Sequence, residues 1–216
     1  MPGKTTEIKF CGLRSAEDIA LAAELGVGYA GLNHIPKTPR YLEFDALAEL
    51  VRAVPEPMKS VVLLQDAEIT LLERIVLELK PDLVQFHGSE SWRVCDYFEV
   101  PFIKAVHPLA AGVDSRFSYL DYYGNVEAFL WDATLEGGQG GSGQTLDYSR
   151  IPEQRRSGAF IAGGLTPETV ADAIHRVKPR AVDVSSGIEE QPGVKSPERM
   201  RAFVEAVRSA DAAAGA

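Results

Sequence analysis

The chain has 216 residues, 45% hydrophobic and 25% charged, and 22 basic against 31 acidic side chains leave a formal net charge of −9. A chain of that length can bury about 70% of its unfolded surface, so one domain with a full core is feasible without disulfide staples. An acidic balance removes nucleic acid and anionic membrane from the expected partners, because either calls for a concentrated basic face. The two cysteines, Cys11 and Cys95, are too few for a disulfide framework and stand in no CxxC pair or Cys/His cluster spaced for zinc. No metal is expected, and a reducing cytoplasm fits. The opening residues MPGKTTEIKFCG carry no apolar signal core, and no run approaches the roughly 18 apolar residues of a membrane helix.

Short apolar runs alternate with segments of helical period along the whole chain. The first strand is Glu7 to Phe10; Ser15 then caps a helix with the apolar face Ile19, Ala22, Ala23 and Leu25, closed by Gly26. Val27 to Asn33 forms the second strand, followed by a loop through Pro36 and Pro39 and a helix from Phe44 to Val54. The third unit pairs Ser60 to Leu64 with a helix from Ile69 to Leu79, and the fourth pairs Leu83 to Phe86 with a helix through Trp92 and Tyr97. Phe102 to Val106 comes next, with a weakly patterned helix near Phe117 to Tyr123, then Ala128 to Trp131. A glycine-rich loop, Gly137 to Gly143, precedes a short helical stretch near Tyr148 to Glu153. Ala159 to Ala162 leads to a helix capped by Thr166 with Pro167 at its first position; Ala181 to Val184 leads to a helix from Ser196-Pro197 through Val207. Residues 211–216 read as a frayed tail after a single domain over 1–210.

Eight strands, each followed by a crossover, suggest a compact closed (β/α)₈ TIM barrel. A doubly wound open sheet competes, but no GxGxxG opens the first helix. In such a barrel function gathers at the C-terminal strand ends, here Cys11, Asn33-His34, Gln65-Asp66, His87, His107, Asp132, Gly163-Gly164 and Ser185-Ser186. The glycine and serine loops after strands seven and eight let backbone N–H groups crowd a phosphate monoester, and the helix N-termini beyond them favour its charge. Cys11 is either a small buried hydrophobe or a base; Asp132 either caps a loop or moves a proton. Cys95, inside a helix, reads as packing.

Taken together, Lys9-Phe10-Cys11-Gly12, Lys37-Thr38-Pro39-Arg40-Tyr41, Gln85-Phe86-His87-Gly88, Gly138 to Thr145 ahead of Asp147-Tyr148, Ala162 to Leu165 and Asp183 to Lys195 resemble, in order, phosphoribosylanthranilate isomerase of tryptophan biosynthesis. The resemblance implies a cofactor-free Amadori rearrangement of N-(5′-phosphoribosyl)anthranilate to 1-(2-carboxyphenylamino)-1-deoxyribulose 5-phosphate. It makes Cys11 the general base, with Lys9 as a possible helper, and Asp132 the general acid. Arg40 would pair with the anthranilate carboxylate, His87 would shape the site, and Gly141, Gly163, Gly164, Ser185, Ser186 and Gly187 would surround the phosphate, Gly141 from a mobile cover. The chain would act in the cytoplasm as a monomer or homodimer on a small phosphorylated substrate.

Asn33-His34 stands where the family usually places an apolar, phenylalanine-bearing segment, which puts polar groups near the expected ring position. Gln65-Asp66 and Gln144 also depart, Gln144 by replacing a common lysine near the phosphate. A paralogue acting on another phosphorylated sugar or amine, and a non-catalytic phosphate binder, are the alternatives.

Overall fold

A computed structural model of the chain describes residues 5–108, 117–132 and 148–214. Runs of β-branched and aromatic residues lie extended as β1 (Glu7–Cys11), β2 (Tyr29–Asn33), β3 (Lys59–Leu64), β4 (Leu83–Phe86), β5 (Phe102–Val106), β6 (Val126–Asp132), β7 (Phe160–Ala162) and β8 (Ala181–Val184). Each pairs in parallel with its sequence neighbour, and β8 returns to β1, Lys9 facing Asp183 across that seam, so the sheet is a closed barrel. Closure leaves no edge strand, as the chain's pattern predicts.

The strand period of two divides the apolar side chains into two populations. Tyr29, Val61, Leu63, Leu83, Ile103, Ala105, Leu130 and Phe160 fill the barrel, while Ile8, Phe10, Val62, Leu64, Val84, Phe86 and Val182 face outward into the helix layer. That parity decides which polar residues reach the mouth. Continuing inward steps lead to Cys11, Asn33, Gln65, His87, His107, Asp132 and Ser185.

Helix α1 (Ala16–Glu24) starts where expected, the Asp18 N–H donating to Ser15 Oγ at 3.1 Å, and α2 (Phe44–Ala53) buries Leu47, Leu50 and Val51. The third helix, α3 (Ile69–Arg74), widens into a π-type turn over Ile75–Leu79. The fourth is shorter than its pattern: α4 (Trp92–Cys95) stops because the Asp96 carboxylate accepts from the N–H groups of Gly124 and Asn125, tying the chain to the entry of β6. Cys95 is buried there as packing. The expected fifth helix is a 3₁₀ turn, Ser118–Tyr122, and the stretch before β7 is another, Tyr148–Arg150, followed by α5 (Glu153–Arg156).

Three further differences lie after β7. The helix expected from Pro167 begins instead as α6 (Val170–Val177), because Thr166 and Thr169 close a turn on each other, the Thr166 N–H reaching Thr169 Oγ1 at 3.0 Å. A hairpin, β9 (Glu189–Gln191) and β10 (Val194–Lys195), precedes the last helix. That helix, α7 (Pro197–Ala214), does not fray at Asp211: its carboxylate accepts from Thr6 N and Oγ1 at 2.8 and 2.6 Å, pinning the helix to the chain ahead of β1.

Candidate active site

A cavity of about 670 Å³ opens at the C-terminal ends of the strands. Its wall takes Cys11, Asn33, Gln65, His87, His107, Asp132, Gly163, Gly164, Ser185 and Ser186, so most of the expected strand-end set does converge. Gly187 sits behind it. An added Cβ at Gly187 would lie 1.9 Å from the Leu165 carbonyl oxygen, so its bareness lets the β7 and β8 loops touch. Because α6 begins only at Val170, loop backbone rather than a helix first turn faces the cavity from β7, with Gly163 and Gly164 at φ +93° and +68°. Gly141 and Gln144 lie outside the described residues.

Asn33 and His34 part company. Asn33 points in, its Oδ1 accepting from the Ile35 N–H at 2.7 Å. His34, one residue on, points out by strand alternation: Nδ1 lies 2.8 Å from the Leu42 carbonyl and the ring stacks on Tyr41, centroids 5.3 Å apart. The expected intrusion of two polar side chains therefore reduces to Asn33, flanked by Ile35 and Leu63.

Cys11 shares the β1 inward face with Lys9, which is fully buried and holds Asp183 at 3.0 Å. Burial works against the Lys9 ammonium, but Asp183 and the Cys11 sulfur outweigh it and raise its pKa. Burial also raises the pKa of the Cys11 thiol, and Lys9 is the largest force in the opposite direction. Lys9 is thus the side chain that most favours a thiolate there.

Across the barrel His87 Nε2 stands 3.7 Å from Asp132 Oδ2. Burial pulls the His87 pKa down to about 4 against the attraction of Asp132, so the imidazole is neutral near neutral pH. His107 meets it edge-on at 5.1 Å, and Gln85 Nε2 lies 3.3 Å from His87 Nδ1. The loop carrying His87 is held from behind: Glu90 accepts from the N–H groups of Asp66 and Gly88, and Lys104 neutralises Glu90 at 3.0 Å.

Arg40 crosses Gly12, where a Cβ would come within 2.4 Å of Arg40 Cδ, so the glycine after Cys11 makes room for the guanidinium. Its Nε and Nη2 donate to both oxygens of Glu189 at 2.7 and 2.8 Å, and Lys195 reaches Glu189 at 2.9 Å. Burial pushes the Glu189 pKa up, but the two cations prevail and lower it. One edge of Arg40 is therefore already engaged. The edge that carries Nη1 is not used by Glu189.

Glu189, Lys195, Asp183 and Gln85 were not singled out from the sequence as site residues. Their signal was present: Asp183 and Gln85 are polar interruptions of apolar strands at inward parity, which buries them at the cavity floor. Glu189 and Lys195 became visible only with the hairpin that faces them together. Among the described residues no group of three or more metal-ligating side chains comes together, and no helix is long and apolar enough to cross a membrane.

The chain matches the family described as N-(5′-phosphoribosyl)anthranilate (PRA) isomerase over residues 8–206. It is 41% identical over 215 residues to the N-(5′-phosphoribosyl)anthranilate isomerase of Xylella fastidiosa, covering 98% of this chain and 96% of that one. Among solved structures, phosphoribosyl anthranilate isomerase of Thermotoga maritima superposes with a TM-score of 0.82 at 28% identity, covering 95% of this chain and all of the other. A phosphoribosyl anthranilate isomerase in complex with reduced 1-(o-carboxyphenylamino)-1-deoxyribulose 5-phosphate superposes with a TM-score of 0.79 at 26% identity over 95% of this chain and 100% of that one. With the family match spanning nearly the whole barrel, this chain belongs to the N-(5′-phosphoribosyl)anthranilate isomerase family.

Proposed function

We infer that the protein isomerises N-(5′-phosphoribosyl)anthranilate to 1-(2-carboxyphenylamino)-1-deoxyribulose 5-phosphate, in the cytoplasm, as a monomer or homodimer. The observation that carries this reading is the placing of one thiol, Cys11 on β1, and one carboxyl group, Asp132 at the end of β6, in a single cavity whose β7 and β8 loops are glycine and serine rich.

Asp132 protonates the furanose oxygen, so the C1′–O bond breaks as the anilino nitrogen forms an iminium. The Cys11 thiolate then takes the C2′ proton, the electron pair neutralises the iminium as an enolamine, and tautomerisation gives the ketone at C2′. Every electron stays within the substrate, so the sequence of steps needs no redox cofactor. Lys9 favours the thiolate by charge, and its own ion pair with Asp183 keeps that charge in place. Phosphate takes the backbone N–H groups around Gly163, Gly164, Ser185 and Ser186, with Gly187 allowing the two loops to meet. Arg40 directs its remaining edge to the anthranilate carboxylate, and the ring lies against Ile35 and Leu63.

Consumption of freshly prepared N-(5′-phosphoribosyl)anthranilate, followed by loss of its fluorescence, tests the reading. Turnover by the purified protein is expected. A folded protein that leaves this substrate untouched contradicts it.

A further inference from the structure

Gln85 is fully buried one inward step below His87 on β4. Its Nε2 lies 3.3 Å from His87 Nδ1, and its Oε1 has no hydrogen-bond partner among the described residues. On its other side the imidazole presents Nε2 to Asp132 Oδ2 at 3.7 Å. The three side chains form a line from the barrel floor to the carboxyl group.

A neutral imidazole carries one N–H, and the partner at one nitrogen decides what the other offers. With the Gln85 amide nitrogen toward Nδ1, that nitrogen accepts, the ring proton sits on Nε2, and Nε2–H suits an Asp132 carboxylate. With the amide turned by half a rotation, Oε1 accepts from Nδ1–H and the Nε2 lone pair suits a protonated Asp132. The two orientations occupy nearly the same space, and each leaves the far atom of the amide in the same unpartnered place. The amide can therefore meet either tautomer of His87 at the same cost. Burial lowers the His87 pKa to about 4, aided by His107 and Lys104 from the β5 side and Lys9 from β1 and opposed by Asp132 from β6, so above that pH tautomer rather than charge is the variable.

We propose that Gln85 is a positioning residue whose amide, turning by half a rotation, partners whichever tautomer of His87 matches Asp132, so that the imidazole supports Asp132 both as a carboxylic acid ready to donate and as a carboxylate. The imidazole keeps one proton throughout, and the proton that Asp132 gains or loses is exchanged with solvent or substrate. The inference rests on reading Asp132 as the general acid.

Ring ¹⁵N shifts of His87 in the full-length protein test it directly. Read at pH values above about 5, where the imidazole is neutral, the expected result is Nε2–H at mildly alkaline pH and a growing Nδ1–H fraction as pH falls; Nε2–H alone over that whole range overturns the proposal. Gln85→Leu removes the partner that meets both tautomers. Its kcat is expected to fall roughly ten- to a hundredfold with KM changed by less than about twofold, as when other outer partners of a functional imidazole are removed. An unchanged kcat overturns the proposal, and if this variant does not fold the wild-type spectrum still decides. Asp132→Asn separates the two levels: lost turnover there with an unaffected Gln85→Leu sinks the inference alone, while retained turnover in Asp132→Asn removes the reading beneath it as well.

Discussion

The two ends of the barrel hold charge in different ways. At the N-terminal end Arg180 donates to Glu7 at 3.2 Å and to the Tyr29 hydroxyl at 3.0 Å and pairs with Glu127 at 2.6 Å, while Tyr29 donates to Glu7 at 2.8 Å. Tyr29 and Phe160 meet edge-on at 5.1 Å beneath this network and plug the barrel. Each of these four side chains closes on another. At the C-terminal mouth the same parity places a thiol with a raised pKa, an imidazole held neutral, and an amide oxygen with no partner among the described residues. Where a fold needs only closure, polar groups are paired off; where it works on a substrate, a few are held short of satisfaction beside the ion pairs that fix the loops.

Substitutions at the two ends should therefore have different consequences. Glu189→Gln at the mouth leaves Arg40 and Lys195 buried without their shared counter-charge and is expected to cost about 3–5 kcal/mol in denaturant unfolding, with a raised KM as Arg40 loses its support. Because its folded pKa is depressed, Glu189 contributes stability that is present above its unfolded value of about 4.3 and lost as pH falls through the folded value. The acid branch of the stability curve should therefore be shallower in Glu189→Gln. An equally steep branch would assign that loss to other carboxylates.

Arg180→Met at the opposite end should cost less, about 1–2 kcal/mol, since the arginine is 29% exposed and water screens its pairs. Its kcat and KM should match the wild type. A kinetic defect in a folded Arg180→Met would break the separation of the two ends.

The smallest expected effect is a displacement in pH. Since burial raises the Cys11 pKa, the rising limb of kcat/KM against pH should lie above the ordinary cysteine value of about 8.5. Lys9→Met removes the charge that favours the thiolate and should move the limb further upward. A limb that stays in place or moves down would deny Lys9 that role.

Much of this division was legible in the sequence, because one rule produced it. Eight strands in unbroken succession suggested a closed barrel, alternation along them brings Cys11, His87 and Asp132 to one mouth, and the joint motifs pointed to the family. The same rule, applied residue by residue, would have turned His34 outward. What stayed hidden depends on particular side-chain contacts: the Arg40–Glu189–Lys195 cluster requires a hairpin with no strong local pattern that faces a loop far away in the chain, and a turn closed between Thr166 and Thr169 overrides a Thr-Pro helix start. The late end of α7 joins an alanine-rich sequence that favours helix to one distant partner, Thr6.

In the proposed mechanism Cys11 and Asp132 carry out proton transfers in a site that binds its ligand by other residues. The most direct test is the turnover of Cys11→Ala and Asp132→Asn, each set against that variant's affinity for reduced 1-(o-carboxyphenylamino)-1-deoxyribulose 5-phosphate. Both variants should bind this compound within a few-fold of wild type and lose about a thousandfold or more in kcat, in keeping with general acid–base contributions. Near wild-type kcat in either variant would contradict the account.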